Sequence, residues 1–410
     1  MGVADTRSFD RMWSDLTDVG RDPAGGYARF AWTAEDALLR EWFAAQGQSR
    51  GLDLTRDRNG NSWAWWGDPD AAAGGGVVFG SHLDSVPQGG AFDGPLGVVS
   101  ALAALDRLRA AGFVPERPIG IACFTDEEGA RFGVACAGSR LLTGVLDAGW
   151  AHRARDTDGI SWAEAARSAG HDVAHLGRDD ETLSRVGTFV ELHVEQGRGL
   201  VDLDQAVAVG REIWPHGRFR VDLAGRADHA GTTRLADRQD PMLDLARLVL
   251  EARAAAVRHD AVATVGKVAI DPGAVNAIPA HVTAWLDARG ADERRVRRLI
   301  ADLQQTPGLE RLVQESWTGA TVLDPDLAAQ LAAVIAADAD AGTVPVLPTG
   351  AGHDAGILST AGIPSAMLFV RNPTGVSHSP EEFAEAADCH RGVAALATVM
   401  EHLAGPSERA

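Results

Sequence analysis

Short apolar runs that end in polar clusters mark out most of this chain. Residues 76–82 (GVVFGSH) and 118–125 (PIGIACFT) are compact apolar runs, the second closing on acids. Between them, Pro95 to Ala111 is rich in leucine and alanine with proline in its first turn, which predicts a helix. Residues 187–196 (GTFVELHVEQ) alternate apolar and polar as a strand does, and AAAGGG (71–76) reads as a loop between strands. Near the C-terminus, 324–339 reads as a helix, 364–370 (PSAMLFV) as a strand, and a last helix follows. Apolar runs separated by helical segments predict a parallel α/β sheet, whose ligands bind beyond the carboxyl ends of the strands.

The middle of the chain has a different rhythm. Strand patterns at 218–225, 261–270, 281–289 and 308–316 are interleaved with helical patterns at Pro241–Arg258 and Asp292–Gln304. The order β-α-β-β-α-β predicts a ferredoxin-like unit. The expected organisation is therefore a discontinuous α/β domain, 1–210 with 323–410, carrying an inserted α+β domain at 211–322.

Composition narrows the functional classes. With 38 basic and 57 acidic residues the net charge is −19, which disfavours a nucleic-acid partner. No apolar stretch reaches the ~20 residues of a membrane span, and the N-terminal MGVADTRSFDRMW lacks the charged and apolar regions of a signal peptide. Three cysteines (Cys123, Cys136, Cys389) without CxxC spacing indicate a reducing, cytoplasmic setting. Lys267 is the only lysine, and its strand-like surroundings place it at a sheet edge or on the surface rather than at a Schiff-base site.

Six polar clusters sit at the ends of predicted elements. In GSHLDS, His82 offers a metal-binding imidazole, and Asp84, two residues on, can orient it. In GGAFDGPLG, Asp93 is either a helix cap or a carboxylate bridging two metals. FTDEEGARF holds the adjacent acids Glu127 and Glu128, which in strand geometry face opposite ways, so that one can bind metal while the other serves as a base. ELHVEQG supplies His193 and Gln196, and TGAGHDAG supplies His353. GVSHSPEEF supplies His378, followed by Ser379-Pro380, which predicts a helix start. Singly, each cluster also has a bland structural reading.

GSHLDSVPQGGAFDG, DEEGARF, ELHVEQG, HAGTT, GHDA and SHSPEE occur in the order that marks the M20 metallopeptidase superfamily. HVEQG and GAGHDA resemble its amidase branch, which contains N-carbamoyl-L-amino acid hydrolases, β-ureidopropionase and allantoate amidohydrolase. The resemblance spans about residues 78–385. It implies a metallopeptidase-like catalytic domain with an inserted lid and dimerisation domain, and two divalent ions per subunit, zinc or manganese, with cobalt or nickel as further options. His82, Asp93, Glu128, His193 and His378 would be the ligands, with Asp93 bridging. Glu127 would be the general base and Asp84 would orient His82. From the middle domain, His229 would stabilise the oxyanion, while Asn276 and Arg289 would grip the substrate. Gln196 and His353 would contact the scissile ureido group.

The implied activity is hydrolysis of the carbamoyl C–N bond of an N-carbamoyl-L-amino acid, with allantoate as the runner-up and an aminoacylase or dipeptidase activity further off. The implied partner is a second copy of the chain, with His229 and Asn276 acting in trans. Arg234 stands where relatives commonly have proline, and 213–219 and 369–378 also depart from the family pattern. These departures bear on substrate identity rather than on the chemistry.

Overall fold

The computed structural model describes residues 6–339 and 343–406. The chain divides into two compact units, one made of the residues up to Glu212 together with those from Val322 on, the other of Ile213–Thr321.

Among the described residues fifteen strands form, in chain order: β1 (Asp53–Arg56), β2 (Ser62–Trp66), β3 (Gly76–His82), β4 (Ile119–Phe124), β5 (Val186–Val194), β6 (Val207–Ile213), β7 (His216–Ala224), β8 (Asp228–His229), β9 (Val262–Asp271), β10 (Ala277–Ile278), β11 (His281–Arg289), β12 (Val313–Thr318), β13 (Thr321–Val322), β14 (Val346–Thr349) and β15 (Ser365–Val370). The large sheet runs β1-β2-β4-β3-β5-β15-β6-β13, with β14 also paired to β6. Its centre, β4-β3-β5-β15, is parallel. The flanking pairs β1-β2, β2-β4 and β15-β6 are antiparallel. β3, β4 and β15 are buried along their whole length, which is why they read as unbroken apolar runs rather than as alternations.

The helix Pro95–Ala110 packs against the sheet's centre. Every residue from Pro95 to Leu105 is buried, and the helix packs on β3, β5 and the helices Thr6–Leu16 and Ala386–Ala404. A helix that is apolar all round is a core element, and this one lies in the main hydrophobic cluster with Val77, Phe79, Ile121, Val190 and Leu368. Among the described residues no helix is long and apolar enough to cross a membrane.

The second unit is an antiparallel sheet of order β12-β7-β11-β9. β7 and β11 alternate strictly: Phe219, Val221 and Leu223 on one, and Val282, Ala284, Leu286 and Ala288 on the other, are buried. They meet the helices Pro241–His259 and Glu293–Gln304 in a separate core. The second helix contributes Val296, Leu299, Ile300 and Leu303 at the i, i+3, i+4, i+7 spacing of one helical face. This is the ferredoxin-like arrangement, so the chain as a whole is a discontinuous α/β fold with an inserted α+β unit. A short ribbon, β8 with β10, extends the unit. Lys267 lies exposed on the edge strand β9, its ammonium 4.6 Å from the Trp285 ring centre.

Three local expectations are corrected. The strand expected over 308–316 begins only at Val313, because Leu309 and Leu312 turn inward to cap the second core. Ser379-Pro380 does not start a helix: residues 379–382 form a turn closed by the Glu382 N–H on the Ser379 carbonyl (3.1 Å), and the C-terminal helix starts at Ala386. Asp93 does not cap the helix that follows it, since the cap position is Gly94 and no side chain caps that end.

Candidate metal centre

Six imidazole and carboxylate groups converge at the carboxyl ends of the parallel strands. His82 is the last residue of β3, His193 is the next-to-last of β5, and Glu127 and Glu128 follow β4. Asp93 precedes the buried helix, and His378 lies on the loop after β15. Two triads result, His82–Asp93–His193 and Asp93–Glu128–His378, the ligand atoms of each lying within 4.8 Å of one another. Asp93 belongs to both. Its Oδ1 is 3.2 Å from His193 Nε2 and 3.5 Å from His82 Nε2. Its Oδ2 is 3.4 Å from His378 Nε2, which is itself 3.4 Å from Glu128 Oε2. One carboxylate thus offers one oxygen to each triad.

The two buried histidines are oriented alike. His82 Nδ1 lies 3.1 Å from the Asp84 carbonyl and His193 Nδ1 2.9 Å from the Val194 carbonyl. A carbonyl only accepts, so in each ring Nδ1 carries a proton, and the neutral form of the ring presents its lone pair at Nε2. His82 Nε2 has no hydrogen-bond partner among the described residues, and neither has Glu128 Oε1. The third member of the cradle is Gly94, at φ +85°: a Cβ there would fall 2.4 Å from His82 Cε1. Asp84 orients His82 more closely through its backbone carbonyl than through its carboxylate, whose Oδ1 is 3.5 Å from Nδ1. That carboxylate instead accepts the N–H groups of Glu127 (3.2 Å) and Glu128 (3.0 Å), fixing the turn that carries both acids.

Electrostatics ask for cations here. Burial pushes the Glu127 carboxyl well up, against the pull of His82, with Asp354 and Glu128 adding repulsion. Burial and the neighbouring Asp93 raise Glu128 to about 8. His82 is driven the other way from what burial alone dictates, its cation favoured by Glu127, Asp84 and Asp93. His378 rises to about 9 because Asp93 and Glu128 outweigh its desolvation. Clustered buried carboxylates and imidazoles of this kind are a donor set that could hold divalent metal ions.

The neighbouring groups fall into place around this core. Glu127 is buried with Oε2 3.7 Å from His82 Nε2, while Oε1 receives the Cys136 thiol at 3.2 Å. Gln196 Nε2 donates to Asp93 Oδ2 (2.8 Å) and to Ser377 Oγ (3.1 Å), and its Oε1 is buried without a partner among the described residues. The His353 ring lies 4.5 Å from that of His193, both of its nitrogens buried and without a partner among the described residues, and burial followed by the charge of His193 holds it neutral.

The remaining expected residues lie in the second unit. His229 and Asn276 sit together on its short ribbon, both exposed: His229 pairs with Ala277, and the Asn276 carbonyl accepts the Ala230 N–H at 3.0 Å. His229 Nδ1 accepts the Gly231 N–H (3.0 Å), which places the ring proton on Nε2. Arg289 ends β11 with Nε and Nη2 on the two oxygens of Asp287, at 2.6 and 2.9 Å. Its guanidinium fork is therefore shared with an acid of its own strand.

The Peptidase family M20/M25/M40 model matches residues 78–402. The chain belongs to this family. Among its M20 relatives, an N-carbamoyl-L-amino acid amidohydrolase of Geobacillus stearothermophilus is 36% identical over 96% of this chain and 98% of its own. The allantoate amidohydrolase of Escherichia coli is 28% identical over 95% of this chain and 96% of its own. The crystal structure of a hydantoinase/carbamoylase family amidase from Burkholderia vietnamiensis superposes with a TM-score of 0.87, at 28% identity, covering 99% of this chain and all of that one.

The M20 motifs do not name every residue that shapes the centre. Beneath it, Glu191 accepts the Ser81 hydroxyl (2.8 Å) and the Ala355 N–H (2.9 Å), tying β3 and β5 to the segment that carries His353. Beside it are Cys136, Ser377 and Glu382. Glu191 lies in a strand whose alternation marks it only as polar, and nothing local singles out Cys136.

Proposed function

We propose that this protein is a dinuclear metal-dependent amidohydrolase that cleaves the carbamoyl C–N bond of N-carbamoyl-L-amino acids, releasing the amino acid, ammonia and carbon dioxide. The observation that carries the reading is Asp93, whose two oxygens each face a histidine-bearing triad, with a buried carboxylate, Glu127, beside the first. The name of the full-length Geobacillus relative supports the substrate class.

In this reading His82, Asp93 and His193 would hold one ion, and Asp93, Glu128 and His378 would hold the other. When bound, such ions supply Lewis acidity that activates water at neutral pH and polarises the scissile carbonyl. Glu127 takes a proton from the attacking water through Oε2 and passes it to the leaving nitrogen. His229, protonated at Nε2, donates to the oxygen that becomes negative. Gln196 and His353 contact the ureido group. Asn276 and Arg289 grip the substrate, Arg289 binding its carboxylate through the guanidinium.

We further propose a homodimer formed through the second unit. Leu243, Leu250 and Val257 stand seven residues apart on the helix Pro241–His259 and are 67%, 71% and 71% exposed. Beside them, β9 is an open sheet edge with Val262, Val268 and Ile270 exposed. Apolar helix faces and unpaired edges of this kind are completed by a partner, and a second copy satisfies both. His229 and Asn276 would then serve the partner's centre. The three buried, free cysteines agree with a cytoplasmic setting.

The test is an ammonia-release screen of the chelated and metal-reconstituted protein on N-carbamoyl-L-amino acids, allantoate and dipeptides. Turnover of N-carbamoyl-L-amino acids restored by zinc or manganese supports the reading. Preferential turnover of allantoate moves the assignment to that substrate, and activity on dipeptides alone overturns it.

A further inference from the structure

Glu382 is a buried carboxylate that belongs to neither triad, yet all its bonds are aimed at them. It follows His378 by four residues, in the turn that replaces the expected helix. Its Oε1 accepts two consecutive backbone N–H groups, those of Phe92 and Asp93, each at 2.9 Å and nearly 290 positions away in the sequence. Its Oε2 lies 3.0 Å from Ser377 Oγ, and that hydroxyl lies 3.2 Å from Asp93 Oδ2. A hydroxyl has one proton, so Ser377 links the two carboxylates by donating to one of them at a time, while accepting from Gln196. The backbone makes room for this arrangement: a Cβ on Gly90 would fall 2.2 Å from Glu382 Oε1.

Burying a carboxylate is costly unless it is hydrogen-bonded, and the turn at 379–382 needs no carboxylate to close, since a backbone bond closes it. What the carboxylate adds is a fixed distance between two segments that carry ligands. Asp93 sits on a loop before the buried helix. His378 sits on a half-exposed loop in the left-handed conformation, φ +55°, which only surrounding contacts maintain.

We propose that Glu382, linked through Ser377, is a positioning residue that locks the Asp93 loop to the His378 loop, so that the shared carboxylate and the exposed histidine are set in one frame. The proposal rests on the dinuclear reading above and makes a separate claim, that ion affinity depends on a side chain that touches no ion.

The test uses the full-length chain, stripped with a chelator and titrated calorimetrically with Zn²⁺, with elemental analysis of bound zinc and thermal unfolding of each variant. Glu382→Ala is expected to weaken zinc binding by about 10–100-fold, the usual cost of removing a group that orients ligands. Glu382→Gln keeps an oxygen for both N–H groups and an amide for Ser377, so it should bind zinc close to wild type at similar thermal stability. Ser377→Ala should weaken binding less than Glu382→Ala does. A role confined to closing the turn would lower stability in Glu382→Ala and leave the affinity of the folded protein unchanged, and that result overturns the proposal. So does Glu382→Gln binding as weakly as Glu382→Ala, because charge and not position would then be at work. Should Glu382→Ala not fold, wild-type affinity in Ser377→Ala overturns the linkage and weakened affinity supports it. If the wild-type chain itself takes up no zinc, the dinuclear reading falls and this proposal falls with it. If the wild type binds two ions and releases ammonia while Glu382→Ala binds zinc equally well, this proposal alone fails.

Discussion

The two units treat their polar residues in opposite ways. In the first, His82, Asp93, Glu127 and His193 are all at least 95% buried, and each is held by at least one neighbour whose own position is fixed by the sheet. In the second, His229 and Asn276 stand exposed on a two-residue ribbon, and Arg289 is partnered by an acid of its own strand. A buried donor set carries a large desolvation cost that a bound ion offsets, so it can be preformed and still bind tightly. An exposed set costs little to hold and little to move. In the proposed reading, the comparison teaches that the first unit would keep the cations and the second would meet the substrate.

The largest effect that separates the units is metal removal. Chelation should abolish ammonia release and zinc or manganese should restore it, measured beside elemental analysis. Full activity in a demonstrably metal-free sample would end the dinuclear reading. Next is Glu127→Gln, which keeps the shape and removes the proton acceptor. Its kcat should fall by about 10²–10⁴-fold with both ions retained, whereas loss of an ion would mean that Glu127 is a ligand and Glu128 the base.

His229→Ala tests the other side. Its kcat should fall by about 10²–10³-fold with ion content unchanged. Mixing it with Glu127→Gln, after dissociation and reassociation of the subunits, should restore activity toward half per heterodimer if His229 serves the partner's centre. No recovery, with exchange verified by mass, places it in the same subunit. Leu250→Glu, at a site 71% exposed, should fold and yet yield monomers by sedimentation; an unchanged dimer would remove this helix from the interface.

Arg289→Lys should chiefly raise KM, by the worth of about one charge-assisted bond, roughly 1.5–3 kcal/mol. An unchanged KM for carboxylate-bearing substrates would show that Arg289 is not the anchor. The smallest effect is at Cys136, whose thiol is a weak donor to Glu127 Oε1. Cys136→Ser should preserve kcat and Cys136→Ala should lower it modestly, with KM and ion content unmoved. Equal kcat in both variants would show that the contact does not steer the base.

How much of this could be read from the sequence depends on how local the cause is. The strand at 76–82 and the helix from Pro95 were legible because burial on every side leaves an unbroken apolar record. The ferredoxin-like unit was legible because β7 and β11 bury alternate residues. The helix expected at Ser379-Pro380 failed because a local capping signal does not distinguish a single closed turn, here 379–382, from the first turn of a helix. The antiparallel strands β1 and β2 left little trace, since the four residues of β1 are all exposed and show no alternation.

The sequence by itself determined the fold class, the family and the residue types of the centre, because periodicity and motif are properties of neighbouring positions. Tertiary structure decided which oxygen of Asp93 serves which triad, that a carbonyl rather than a carboxylate orients His82 most closely, that Arg289 shares its fork with Asp287, and that Glu382 ties two loops together. Each of these is a distance between groups that only the folded chain brings together, and hydrogen bonds and ion binding depend on such distances to a few tenths of an ångström.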